Sequence, residues 1–269
     1  DVAALMNDAF INIKVDREER PDIDHLYMTV CQLLTGAGGW PLTVIMTPDK
    51  RPFFAGTYFP KNSYPNRPGM LELIPALDEA WKTDRNKLLT STQQIMAHLI
   101  QQNQPATPTT LDPDISSKAF EALTSTFDPK HGGFSAAPKF PTPHQLLFLL
   151  RYYQRTQTTE ALNMATLTLD KLMQGGICDH VGFGVHRYST DETWQVPHFE
   201  KMLYDQAQLL QAYSLAYQLT QNPAYVRVID DIITYLNRDL RSDTGAYFCA
   251  EDADSEGEEG TFYVWSYTE

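Results

Sequence analysis

The chain has 269 residues, 42% of them hydrophobic and 12% aromatic, and a formal net charge of −13. That is enough for two domains, or one large one, with a sizeable core. Its acidity and the lack of a basic stripe interleaved with aromatics argue against a nucleic-acid partner, and its longest apolar stretches, residues 42–46 and 146–150, fall far short of the roughly 20 residues that span a bilayer.

The chain opens Asp1-Val2-Ala3-Ala4, with no initiator Met and no basic n-region, so it reads as a stretch of a longer protein without a secretory leader. Cys31, Cys178 and Cys249 are odd in number and far apart. They suit reduced cysteines in a cytoplasmic setting better than a disulfide framework. None of them is spaced as a dithiol pair, so the chain as it stands is not a thiol–disulfide oxidoreductase.

In chain order, residues 10–15 alternate, with Ile11, Ile13 and Val15 on one face, and predict a strand. After Pro21, the residues Ile23, Leu26, Tyr27, Val30, Cys31 and Leu34 predict a helix that Gly36, Gly38 and Gly39 stop. Residues 42–47 form a continuous apolar and β-branched run suited to a strand covered on both faces. Pro48-Asp49 is a turn, and residues 53–59 are a second strand pairing back across it. A long helical pattern follows through Leu73, Leu77, Trp81, Leu88, Ile95 and Leu99.

Residues 101–113 hold almost no large apolar side chain and read as a linker between a first domain, 1–100, and a second, 114–269. The second carries recurring helical patterns over 115–127, 146–153, 162–173, 199–219 and 225–240. Gly132-Gly133, Gly175-Gly176 and Gly245 each open a polar loop. This weak repeat suggests stacked helical hairpins whose loops gather at one end.

Four motifs carry possible chemistry. Gly38-Gly39-Trp40-Pro41 precedes the first buried strand. It reads either as an ordinary glycine-stopped loop or as the cis-proline position of a thioredoxin-like fold. The charge run at 16–22 reads as a solvated loop with a helix N-terminus.

The densest constellation holds His186, Arg187, Tyr188, Asp191 and Trp194, then Pro197, His198, Glu200, Lys201 and Asp205. Pro197 suits the first position of a helix, which would put His198, Lys201 and Asp205 on one face. Imidazole, carboxylates and aromatics together suit a polyol: rings stack on sugar faces while the titratable groups move protons. Salt bridges holding a loop are the plainer reading. His180, His186 and His198 lack zinc spacing, and no metal or other cofactor is expected.

The fourth motif is acidic, Glu251, Asp252, Asp254 and Glu256. It departs from an EF-hand loop because Tyr263 stands where the bidentate Glu should be, and residues 261–265 predict a strand. It is either a site wall or a solvated turn.

These motifs together, with residues 10–22 (Phe-Ile-Asn-Ile-Lys-Val-Asp-Arg-Glu-Glu-Arg-Pro-Asp), resemble the spermatogenesis-associated protein 20 family across essentially the whole chain. The resemblance implies a partial α/β thioredoxin-like domain followed by a partial all-α (α/α) toroid of helical hairpins. That toroid would be similar to six-hairpin glycosidases and N-acylglucosamine 2-epimerases. It also implies a Cys-x-x-Cys motif shortly before Asp1 and further hairpins beyond Glu269.

The expected function is binding or transformation of a small-molecule carbohydrate, epimerase-like or glycosidase-like. His186, His198, Glu200, Asp205, Glu251 and Asp252 are the candidate catalytic groups. Arg187, Tyr188, Asp191, Trp194, Lys201, Asp254, Trp40 and Pro41 are the candidate substrate contacts. Thiol–disulfide chemistry by the longer protein and a purely binding role are the other two readings.

Overall fold

The computed structural model describes residues 1–65, 67–102, 110 and 112–266. Two compact units divide the chain, Asp1–Thr109 and Thr110–Glu269. Most of the expected linker lies outside the described residues.

The first unit begins with α1 (Val2–Ala9), capped by the Asp1 carboxylate, which accepts the Val2 N–H. Helix α2 (Pro21–Thr35) starts where Pro21 needs no donor and where Asp22 and Asp24 favour the helix dipole. It stops at Gly36, whose φ of 75° is left-handed. Strands β1 (Thr43–Met46) and β2 (Pro52–Gly56) pair antiparallel, Thr43 opposite Gly56 and Met46 opposite Pro52.

The long helical pattern that follows is two helices, α3 (Met70–Thr83) and α4 (Arg85–Gln102). Asp84 both ends the first, its N–H bonding the Ala80 carbonyl, and begins the second, its carbonyl accepting from Lys87 and Leu88. Val30 and Cys31 of α2 and Ile95 and Leu99 of α4 enclose Ala55 of β2 to make the core.

Residues 10–15 correct the expectation of a strand. An alternating sequence becomes a strand only where a neighbour supplies ladder partners. Among the described residues none does, and Ile11 and Ile13 stand 92% and 80% exposed.

The second unit contains α5 (Ile115–Thr126), α6 (Pro143–Thr156), α7 (Thr159–Gln174), α8 (Leu203–Thr220) and α9 (Pro223–Tyr235). A π-helical turn, Leu236–Leu240, continues α9. Helices α6 and α7 form one hairpin and α8 and α9 another. Each turns a tight corner on a left-handed glutamine, Gln157 (φ 59°) or Gln221 (φ 57°). Leu146, Leu149 and Leu150 of α6 pack with Leu169 of α7, Leu209 and Tyr213 of α8, and Val228 and Ile232 of α9. The Tyr213 hydroxyl donates to the Leu169 carbonyl at 2.9 Å, satisfying the one polar atom that a buried tyrosine brings.

Because both corners lie at one end of the hairpins, the three long connections 127–142, 175–202 and 241–266 gather at the other. Short bridges stitch them together, Lys139 to Ser189 and β5 (Lys201–Met202) to β6 (Ala250–Glu251), while β3 (Tyr188–Ser189) pairs with β4 (Pro197–His198) inside the middle one. The last connection folds back on itself through β7 (Asp254–Ser255) and β8 (Glu258–Glu259). No helix among the described residues is long and apolar enough to cross a membrane.

Candidate functional site

Pro197 does not open a helix, as its position suggested. It pairs with Ser189 in β4, and α8 starts six residues later at Leu203. His198, Lys201 and Asp205 therefore sit on a strand, a second strand and a helix, not on one helical face. Likewise residues 261–265 are a turn followed by irregular chain, not a strand.

Trp194, Asp191 and Lys201 build the loops from beneath. Trp194 is buried, its indole N–H donating to the His131 carbonyl at 2.8 Å, with the Lys139 ammonium 5.2 Å from its ring centre. The Asp191 carboxylate accepts the N–H groups of Thr193, Gln195 and Val196 and the Thr193 hydroxyl. Burial alone would raise its pKa, but these donors hold it far below the usual carboxylate range. The Lys201 ammonium is buried against Asp179 at 2.8 Å and the Phe183 carbonyl at 2.8 Å, over the rings of Tyr235 and Tyr263.

His186 is buried too. Its Nδ1 meets the Phe199 carbonyl at 3.0 Å, and the rings of Phe199 and Tyr263 approach it edge-on at 5.4 and 4.9 Å. Burial first, and the Lys201 cation second, push its pKa down to about 4. It is a neutral imidazole at neutral pH.

His198 lies nearer the surface. The β3–β4 register sets it opposite Tyr188, and the rings stack 4.8 Å apart at 18°. Its Nδ1 is 2.6 Å from Glu259 Oε1, while Nε2 is 3.9 Å from Glu200 Oε2. With Glu259 ionised, Nδ1 carries the proton and donates it to the carboxylate, leaving the Nε2 lone pair free. At 3.9 Å, Glu200 is beyond direct hydrogen bonding.

Arg187, just before β3, reaches Asp205. One of its nitrogens, Nη1, bonds both oxygens of Asp205 at 3.0 Å, and its guanidinium lies 5.0 Å from the ring centres of both Phe140 and Tyr204. Phe140 also contacts Tyr188 at 4.8 Å, so one ring touches both Arg187 and Tyr188. Asp205 is buried, and burial raises its pKa to about 6 against the pull of Arg187. A single nitrogen shared by two oxygens is a weaker partner than the two-nitrogen fork, so desolvation wins.

On the last loop, Glu251 accepts the Tyr235 hydroxyl at 2.8 Å, Asp252 accepts the Asp254 N–H, and Asp254 pairs with Glu259 across the β7–β8 hairpin. The sequence reading missed Glu259, Tyr235 and Tyr263. Glu259 follows the acidic motif by three residues, and Tyr263 stands where an EF-hand would need its bidentate Glu, so neither shows its partner in the sequence.

A separate cavity of about 300 Å³ opens between α7, α9 and the loop after Gly176, over Met173, Cys178, Val185, Val228 and Ile232. None of Tyr188, His198, Glu200 and Glu259 lines it.

In the first unit, the Trp40–Pro41 peptide is cis. The Trp40 indole N–H donates to Asp24 at 2.8 Å, with the Arg17 guanidinium 4.2 Å over its ring. Cys31 is buried, Cys249 is exposed, and all three cysteines are free.

The model of a thioredoxin-like DsbH family, described as a protein of unknown function, DUF255, matches residues 1–100. Human spermatogenesis-associated protein 20 is 42% identical over 283 residues, covering 100% of this chain and 36% of its own length. The mouse protein of that name is 41% identical with the same coverage. The chain belongs to the spermatogenesis-associated protein 20 family. It spans about a third of the length of these relatives, and an uncharacterized protein of Caenorhabditis elegans is 39% identical over 98% of it. Of solved structures, this family member is similar to a cellobiose 2-epimerase from Bacillus thermoamylovorans B4167, with TM-score 0.46 and 18% identity over 52% of this chain and 40% of that one. It is also similar to a D-mannose isomerase, with TM-score 0.37 and 21% identity over 65% of this chain and 46% of that one.

Proposed function

We propose that the second unit binds a carbohydrate and that His198 moves a proton on it, in an epimerisation or isomerisation. The observation that carries this reading is the Glu259–His198 pair at 2.6 Å, stacked on Tyr188, with Nε2 left without a direct partner. A carboxylate that fixes the tautomer and stabilises the imidazolium makes the opposite nitrogen an effective base. Aromatic rings beside such a base suit the C–H faces of a sugar.

In this reading His198 Nε2 takes the proton from the carbon next to the carbonyl of an opened sugar. The C–H electron pair passes into the carbonyl to give an enediolate. A proton delivered from solvent to the other face of the same carbon inverts it, His198 giving its own proton back to solvent, and return of the proton by His198 to the neighbouring carbon isomerises the sugar. Arg187, fixed by Asp205 and joined to Tyr188 through Phe140, is the cation assigned to the developing oxyanion. Glu251 and Asp252 are the carboxyl groups assigned to the neighbouring wall.

The test incubates the purified protein with glucose, mannose and N-acetylglucosamine in D2O and follows deuterium entering the sugar by NMR. Wild type should incorporate deuterium, and His198→Ala should lower the rate by about 100-fold or more. Equal rates in the two proteins would sink the assignment of His198.

A further inference from the structure

A line of aromatic rings runs outward from the buried His186. Tyr263 meets His186 edge-on at 4.9 Å and stacks on Phe199 at 5.2 Å and 9°. Phe262 then meets Tyr263 at 5.1 Å and 83°. An edge-on contact leaves the flat face of a ring uncovered, and Phe262 is 75% exposed.

An isolated exposed apolar side chain is common on protein surfaces and needs no explanation. Phe262 differs in how firmly it is held. Its N–H donates to Ser255 Oγ at 3.0 Å, and the following N–H groups of Tyr263 and Val264 both bond the Gly260 carbonyl. Gly260 has φ +77° and lies under the Phe199 ring, where a Cβ would come within 2.6 Å, so this turn requires glycine. The ring is displayed on a fixed turn tied to the β7–β8 hairpin, which also carries Asp254, Glu256, Glu258 and Glu259.

A flat apolar face beside several hydrogen-bond acceptors is the composition that receives a pyranose. The ring takes its C–H face and the carboxylates take its hydroxyl groups. Glu259, three residues before Phe262, bonds His198 at 2.6 Å, so this ring and the His198–Tyr188 pair, which the reacting sugar would occupy, belong to one loop wall.

Resting on the carbohydrate reading above, we propose that Phe262 is the platform for a second sugar ring, so that the site takes a disaccharide or longer chain in preference to a free hexose. The unit to be altered lies at His198 and Tyr188. The adjoining unit lies on Phe262.

The test measures, by calorimetry on the purified protein, the affinity for glucose and mannose and for their 1,4-linked disaccharides. Wild type should bind a disaccharide more tightly than its hexose, and Phe262→Ala should shrink that ratio about three- to tenfold. Val264→Ala, an exposed change on the same turn, should leave the ratio as in wild type. Binding of sugars with no preference for length, or a ratio that Phe262→Ala does not move, overturns this inference and leaves the carbohydrate reading standing. Binding of no sugar of either length overturns both.

Discussion

Tyr188 and His198 face each other across a two-residue antiparallel bridge, their rings stacked 4.8 Å apart, with Glu259 bonded to Nδ1 of the imidazole. Tyr188 fixes the plane of the ring and Glu259 fixes its tautomer. Glu259→Gln keeps the shape but takes away the charge that stabilises an imidazolium. It should cut the rate of sugar deuteration at least tenfold while the circular dichroism spectrum stays unchanged. Tyr188→Phe, which keeps the ring, should change neither the rate nor the spectrum.

His186 should stay neutral over the whole physiological range. Its folded pKa of about 4 lies below that of an unfolded histidine, so the neutral form is favoured by folding. The associated stability is complete above the unfolded value and is lost as pH falls from about 6.5 toward 4. NMR titration of the ring signals should show no His186 transition between pH 8 and pH 5. Removing the second cause with Lys201→Met and Asp179→Leu together should move that transition upward.

Asp205 works in the opposite direction. A carboxyl whose folded pKa is raised to about 6 favours its protonated form on folding. Its stabilising share is complete below the unfolded value near 4 and is lost as pH rises through 6, a change of about 3 kcal/mol. Thermal melts from pH 4 to pH 7 should show wild type losing ground against Asp205→Asn over that interval. A constant gap between the two melting curves would refute the assignment.

The buried supports should behave as structural parts. Lys201→Met alone strands Asp179 without its cation and should destabilise the protein by about 3–5 kcal/mol, most of which the double change with Asp179→Leu restores. Trp194→Ala empties the space over Gly133 and should cost about 3–5 kcal/mol in urea unfolding.

Local signals explain what could be read from the sequence. Pro21 and Gly36 bracket α2, Pro48-Asp49 turns the β1–β2 hairpin, and the stripe from Tyr225 through Val228 to Ile232 is the buried face of α9. Each depends on neighbours within a few residues. What was misread depends on distant partners. Residues 197–202 form strands because Tyr188 and Ser189 lie on one side and Ala250 and Glu251 on the other, and no local pattern announces either. Residues 10–15 carry the alternation of a strand but meet no ladder among the described residues.

The sequence also carries a repeat at the hairpin corners. Tyr153 to Gln157 and Tyr217 to Gln221 place the same tyrosine and glutamine at the same spacing, and in both the glutamine N–H bonds the tyrosine carbonyl to turn the hairpin. The glycine pairs mark the loop end, whereas these glutamines mark the corners.

For the candidate site, the sequence marks a cluster but not its layers. His186, Trp194 and Lys201 share chemistry with His198, and only burial separates the supports from the surface groups.

The central claim is that His198 exchanges a sugar proton with solvent. The most direct measurement is the initial rate at which deuterium from D2O enters the carbon next to the carbonyl of a disaccharide, compared between wild type, His198→Ala and Glu259→Gln. The account predicts incorporation by wild type, a deficit in Glu259→Gln and near-complete loss in His198→Ala. Incorporation by all three at one rate, or by none, would contradict it.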